Sequence, residues 1–379
     1  MKQRYISASV KADLKKKMVF VGGPRQSGKT TFSKQLLLEH YKSKEQQESR
    51  YLNWDFTSDR DRVLKGQIPT EAGLLVLDEI HKYSKWRNLV KGIFDKFRDK
   101  LQILVTGSAR LDHYRRGGDS LQGRYHYYRL YPLSLKEIGT PNQDILIALL
   151  NLSGFPEPFF SGSENEARRW SREYRARVMK EEVSSIEMIK DLSTLELLAT
   201  RLPALVGSPL SLNSLREDLS ISQPTIARWV EILERFYFIF RLSPFGGPKI
   251  RAVKKEQKHY HFDWTQIEEL GPRFENLIAF HLLKWCHYIE DTQGFDMELR
   301  YFRDVDGREV DFVVVKNKKP LFFIEAKYSD KDISPSLSYL KKKYPSVQAT
   351  QVLFTEGIDF KTLEDIRVCS AARFLMEFV

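Results

Sequence analysis

Gly23-Pro24-Arg25-Gln26-Ser27-Gly28-Lys29-Thr30-Thr31 sets two glycines five positions apart and follows them with a lysine and two hydroxyls. The loop lies between an apolar stretch, Met18–Val21, and a helical stretch carrying Phe32, Leu36 and Leu37. A glycine-rich turn between a strand and a helix presents consecutive backbone N–H groups, backed by the helix's positive end, to an anion. Residues 23–31 are therefore expected to cradle the phosphates of ATP. Lys29 would reach the β- and γ-phosphates and Thr30 would ligate Mg²⁺. A second apolar run, Leu74–Leu77, ends in Asp78-Glu79. Asp78 fits the Mg²⁺ shell, and Glu79 fits the group that orients water for attack on the γ-phosphate. A third run, Leu101–Thr106, ends in Gly107-Ser108, where Ser108, ahead of Thr106, is the expected sensor of the γ-phosphate. An arginine should answer the transition-state charge, with Arg124 the first candidate and Arg110 the second.

A further set of acids and one lysine lies near the other end of the chain. Asp311 opens the apolar run Phe312–Val315, and Glu325-Ala326-Lys327 closes Leu321–Ile324. Alternation along a strand puts Glu325 and Lys327 on one face, with Asp311 approaching from a neighbouring strand. Glu275, on a helix bearing Phe274, Leu277, Ile278, His281 and Leu282, is placed to join them. Asp311 and Glu325 are hard oxygen donors suited to Mg²⁺, and Lys327 could stabilise charge developing on a phosphodiester.

Strands separated by helical stretches imply a parallel sheet with its ligand site beyond the carboxyl ends of the strands. All three N-terminal motifs fall at such ends. Two helices, Leu210–Leu219 and Pro224–Phe236, joined through Ser220, Ile221 and Ser222, have helix-turn-helix spacing. The basic connector 241–258 after them resembles a wing. Gln223, Thr225 and Arg228 on the second helix, with Lys249, Arg251, Lys254 and Lys255 on the connector, are the candidate DNA contacts. A C-terminal order of helix, three strands, helix and strand follows, with turn signals at Asp306-Gly307 and Lys318-Lys319-Pro320. His259 and His261 share a strand face and are read as structural.

At these residues the chain resembles the AAA+-like ATPases of bacteria and archaea that carry a winged helix and a C-terminal domain of unknown function. The resemblance rests on residues 23–31, Leu77-Asp78-Glu79-Ile80-His81, Thr106-Gly107-Ser108-Ala109-Arg110, Tyr131-Pro132-Leu133-Ser134 and Gly154-Phe155-Pro156-Glu157-Pro158. It implies that Pro156 belongs to a lid motif near the nucleotide. It also implies oligomers, rings among them, with ATP at subunit interfaces. Asp311, Glu325 and Lys327, with Glu275, resemble the core of the PD-(D/E)xK nucleases, although Val310 stands where that motif has proline.

The fold class expected is α/β: a P-loop parallel sheet over 1–150, a helical lid over 151–204, a winged helix-turn-helix and basic linker over 205–262, and a nuclease-like α/β domain over 263–379. With 379 residues, 42% of them hydrophobic, the chain has material for two or three domains. Sixty-one basic against fifty acidic residues leave a net charge of +11, which favours a polyanionic partner such as DNA. No apolar run approaches the ~20 residues of a membrane span, and the start lacks a secretory apolar core, so a cytoplasmic location is expected. The functional expectation is an ATP-hydrolysing, DNA-binding oligomer with a nuclease-like domain. The alternative is an ATP-dependent switch whose C-terminal domain is a non-cleaving scaffold binding DNA or protein.

Overall fold

The computed structural model describes residues 3–108, 111, 121–183, 191–246, 257–329 and 332–379. The chain packs as two units, Met1–Pro132 and Leu133–Val379. The first boundary expected at residue 150 thus falls earlier, and the helix Gln143–Leu152 belongs to the second unit.

In the first unit five strands form one parallel sheet: β1 (Met18–Gly22), β2 (Tyr51–Asn53), β3 (Gly73–Asp78), β4 (Leu101–Thr106) and β5 (Tyr125–Arg129), in the order β2-β3-β4-β1-β5. The apolar runs of β1, β3 and β4 are buried almost throughout, as a parallel sheet covered on both faces requires. The helix Trp86–Phe97 lays Trp86, Val90 and Ile93 against Phe20, Leu75, Leu77 and Val105, a spacing of four and three residues that keeps one helical face inward. Phe20 also stacks on Tyr125 with ring centroids 4.2 Å apart. β4 lies between β1 and β3, so the glycine loop and the acidic strand tip come from strands that are not neighbours.

The second unit is built on an eight-stranded mixed sheet in the order β12-β13-β11-β10-β9-β8-β6-β7. Its strands are β6 (Ile239–Pro244), β7 (Lys258–His261), β8 (Met297–Arg303), β9 (Glu309–Lys316), β10 (Lys319–Lys327), β11 (Gln348–Leu353), β12 (Asp359–Lys361) and β13 (Ile366–Ser370). β8, β9 and β10 form an antiparallel meander, and the helix Pro335–Lys343 carries the chain across to β11, parallel to β10. The expected order of helix, three strands, helix and strand runs from Leu270 to Leu353, and β12, β13 and a short helix Ala371–Phe374, absent from the expectation, follow it. β6 pairs in parallel with β8 through Ser243–Arg300 and Pro244–Tyr301, so the β6–β7 hairpin, on the other side of the boundary expected at 262, joins the C-terminal sheet.

The 24-residue helix Leu270–Gln293 is buried all round its middle, so its polar side chains need partners. Asn276 imitates a strand: its Oδ1 accepts from the His261 N–H at 2.7 Å and its Nδ2 donates to the His261 carbonyl at 2.8 Å. His281 Nδ1 donates to the Leu277 carbonyl, which leaves Nε2 to accept from the Leu135 N–H at 3.1 Å. Burial pushes its pKa down to about 3, consistent with the neutral tautomer this pair of bonds demands. Lys284, fully buried, is paired with Glu137, which also caps the helix starting at Leu135 by accepting from the Ser134 N–H at 3.0 Å. Lys284→Ala should strand that carboxylate and lower stability by about 3–5 kcal/mol in urea unfolding, and adding Glu137→Gln should restore part of the loss.

Candidate functional site

Three backbone positions shape the loop between β1 and the helix Lys29–His40. Gly23, at φ 141°, passes so close to β5's end that a Cβ there would lie 2.4 Å from the Leu130 carbonyl oxygen. Gln26, at φ 60°, and Gly28, at φ 95°, then turn the chain into the helix. Lys29 is buried, and its ammonium donates to the carbonyls of Gly23 at 3.1 Å and Pro24 at 2.6 Å. The expected cradle of Gly23, Pro24, Arg25, Gln26, Ser27, Gly28, Lys29, Thr30 and Thr31 is thus a continuous turn, with Thr30 and Thr31 on its exposed side.

The acidic strand tip reaches the same place. Thr30 Oγ1 donates to Asp78 Oδ2 at 3.0 Å, although 48 residues separate them. Asp78 is buried and also accepts from Thr106 Oγ1 and from the Tyr51 hydroxyl. A hydroxyl beside a carboxylate is the hard-oxygen pair that suits Mg²⁺, so Thr30 and Asp78 fit that ion.

Glu79 sits at φ 57°, a conformation costly for a glutamate, fixed by its N–H donating to the Thr106 carbonyl at 2.9 Å. Its carboxylate lies 3.3 Å from Lys82 Nζ and 3.7 Å from His81 Nε2. Burial raises the Glu79 pKa above the ordinary range, and the charges of Lys82 and Lys29 pull it back. A carboxylate poised in this way can hold and polarise a water molecule. Ser108 is buried just past β4. Its neighbour Gly107 is required by packing, since a Cβ there would meet His81 Nδ1 at 2.4 Å.

Arg124 does not belong to this site. It precedes β5, where its carbonyl accepts from the Met18 N–H, at the amino end of the sheet. β1 separates it from the loop by on the order of 15 Å. Its Nε donates to Asp95 at 2.9 Å, and it lines a cleft with Lys15, Lys17 and Arg98. Arg124 therefore cannot serve as an arginine finger in cis. Arg110 lies outside the described residues. Pro156 opens the helix Pro156–Ser161 of the second unit, behind Phe155, which is buried against Trp170 and Tyr174.

Sequence spacing does not single out two contributors. Arg4, nearly buried, donates to the Ser27 carbonyl at 2.8 Å and to the Tyr131 carbonyl, tying the loop to the chain beyond β5. Tyr51, whose hydroxyl pKa is pushed up by burial and by Asp78, holds Asp78 from β2. An isolated arginine and a strand tyrosine have no motif around them.

In the second unit Glu275, Asp311, Glu325 and Lys327 do come together. Lys327 Nζ lies 3.0 Å from Glu325 Oε1, Glu325 Oε2 accepts from the Asp311 N–H at 3.3 Å, and Asp311 Oδ2 accepts from the Ala326 N–H at 2.9 Å. Lys258, counted in sequence with the basic connector, is buried in this cluster. Its ammonium stands 3.6 Å from Glu275, 2.6 Å from Glu309 and 3.9 Å from Asp311. Burial holds Glu275 up to about 8 and Glu325 up to about 7. Backbone donors and lysines stand against the oxygens of Asp311 and Glu325, the expected Mg²⁺ ligands. Among the described residues no three His, Cys, Asp or Glu side chains are gathered to hold a metal ion.

Of the candidate DNA contacts, Gln223 and Arg228 are exposed on the helix Gln223–Arg235 and Thr225 is half-buried near its start, where Ser222 accepts from the Thr225 N–H. Lys249, Arg251, Lys254 and Lys255 lie outside the described residues. His259 and His261 are fully buried with rings 5.7 Å apart, and burial takes His259 down to about 4.

Residues 15–139 match a family model described as an AAA domain. Residues 143–265 and 270–374 match two described as domains of unknown function, DUF8612 and DUF4143. An uncharacterised protein of Mycobacterium tuberculosis is 21% identical, over 90% of this chain and 82% of its own length. One from Methanocaldococcus jannaschii is 23% identical, over 80% and 74%. One from Haemophilus influenzae is 22% identical, over 80% of each. Among solved structures, the Aeropyrum pernix ORC1 protein in complex with DNA aligns with a TM-score of 0.34 at 12% identity, over 71% of this chain and 92% of that one. The loop, the acidic strand tip and the AAA-domain match over residues 15–139 together support a P-loop ATPase in the first unit.

Glu79 must be ionised to polarise water, so ATP turnover should fall on the acid side at a pH above the usual glutamate range. Lys82→Ala removes a charge that lowers the Glu79 pKa, and the acid limb should move to higher pH. Phosphate release measured between about pH 5 and 9 reads both limbs, and an unmoved limb would remove Glu79 from the role.

Proposed function

We propose that this chain is an ATP hydrolase that acts on DNA as an oligomer and that its second unit binds without cutting. The observation that carries the ATPase part is the Thr30–Asp78 hydrogen bond, which joins the phosphate loop to the acid that ends a different strand. In this reading Lys29 leaves its loop carbonyls for the β- and γ-phosphates, and Thr30 and Asp78 hold Mg²⁺, which supplies charge neutralisation on the triphosphate. Glu79 orients the attacking water and accepts its proton, while Ser108 contacts the γ-phosphate or that water.

DNA as the partner is supported by the net charge of +11 and by the Gln223–Arg235 helix, which follows a short turn and turns Gln223 and Arg228 outward. The hairpin β6–β7 stands where a wing would, and Lys249, Arg251, Lys254 and Lys255 fall in its connector. An oligomer is supported by Arg124 being remote from its own loop, which leaves Arg110 or a neighbouring subunit to supply the arginine. Pro156 would take part through a lid. A soluble, cytoplasmic setting is part of the same reading; among the described residues no helix is long and apolar enough to cross a membrane. The non-cleaving half rests on the engaged oxygens of Asp311 and Glu325.

Lys29→Ala and Glu79→Gln should each lower ATP turnover about 100-fold or more, and normal turnover in either would refute the assigned site. Duplex and single-stranded DNA should be retained in filter binding at low salt, with affinity falling steeply and linearly on a log–log plot against salt. Salt-independent or absent retention would turn the reading toward a protein partner.

A further inference from the structure

Glu275, Glu309 and Asp311 lie within ion-pair distance of one ammonium that comes from within the chain, and Glu325 joins them by accepting from the Asp311 N–H. Lys258, the first residue of β7, is only 1% exposed, and its Nζ reaches Glu309 Oε1 at 2.6 Å, Glu275 Oε1 at 3.6 Å and Asp311 Oδ1 at 3.9 Å. Two residues on, the Tyr260 hydroxyl donates to the same Glu275 oxygen at 2.7 Å. Arg303 takes the other Glu309 oxygen at 3.5 Å, and Lys327 takes Glu325. Lys258 is also pinned from behind. It bridges to Pro209, and Gly207, at φ 82°, brings its backbone so near that a Cβ would lie 3.1 Å from Glu275 Oε2.

A divalent ion binds carboxylate oxygens at roughly 2.0–2.6 Å. The Lys258 ammonium hydrogen-bonds Glu309 and holds Glu275 and Asp311 as longer ion pairs, and an ammonium and a divalent ion cannot occupy one space. We propose that Lys258 is the built-in counter-cation of this pocket, standing where a nuclease-like site would load a divalent metal. The pocket is then independent of metal and held together by the lysine. This explains the non-cleaving half of the functional reading and does not depend on the ATPase half.

Electron paramagnetic resonance of Mn²⁺ with the nucleotide-free, full-length chain tests it. Wild type should show no Mn²⁺ uptake that Asp311→Asn abolishes, whereas Lys258→Met should gain about one such equivalent and a melting temperature that rises with Mn²⁺. Asp311-dependent uptake by wild type overturns the proposal, as does a folded Lys258→Met that takes up no Mn²⁺. If Lys258→Met folds only when Mn²⁺ is supplied, the proposal is supported; if it stays unfolded even then, the proposal fails. Nicking of plasmid DNA is scored in the same samples. Wild type that takes up Mn²⁺ without nicking would overturn the counter-cation and leave the non-cleaving reading standing.

Discussion

The chemistry of the first unit depends on a constraint of sheet order. The glycine loop follows β1 and the acids stand at the end of β3, yet β4 lies between those strands. Side chains at the two tips must therefore span a strand to meet, and they do so through Thr30, Asp78 and Thr106. Thr106, at the end of the intervening strand, bridges the gap by donating to Asp78 Oδ1 while Thr30 and Tyr51 take Oδ2. Three hydroxyls from three elements thus converge on one buried carboxylate. Burying a charge is costly unless it is well hydrogen-bonded, and these donors meet that requirement while keeping the oxygens arranged for a cation. Glu79, one residue later, owes its backbone conformation to the same strand, through the Thr106 carbonyl.

Much of this is legible in the amino-acid order because covered parallel strands leave continuous apolar runs. Met18–Val21, Leu74–Leu77 and Leu101–Thr106 stand out, and the chemical residues lie where those runs stop. β5 leaves no such run: Tyr-His-Tyr-Tyr-Arg mixes half-buried and buried positions at the sheet's edge. The helix Ser7–Leu14, which places Arg4 near the loop, is hidden among charges because its inward face is only Ser7, Val10 and Leu14. Arg124 misleads for a related reason, since proximity in sequence to a nucleotide motif says nothing about which end of a strand a residue occupies. Lys258 misleads most. In a basic segment it reads as a surface cation, and only the return of β7 toward β9 reveals that acids 17 to 53 residues away have drawn it inside.

The second unit shows how far burial can be carried when polar groups are matched. Asn276 completes the edge of β7, His281 serves a backbone N–H, and Lys284 meets a carboxylate that is already capping a helix. Each apolar neighbour makes such a partner more necessary, because an unpaired polar atom costs more in a dry core than at the surface. The long helix can therefore be wrapped on every side without relying on an amphipathic stripe, which explains why its apolar periodicity understates how deeply it is buried.

The margins of the eight-stranded sheet have a consequence for association. At one margin β12 is three residues long, exposed, and bears Asp359 and Lys361. At the other, β7 is sheltered along its whole length. A short charged border and a covered one both discourage main-chain docking by a foreign strand. The sheet is thereby protected from fibrous self-addition, and copies of this unit that gather must recognise one another through side chains and surface relief.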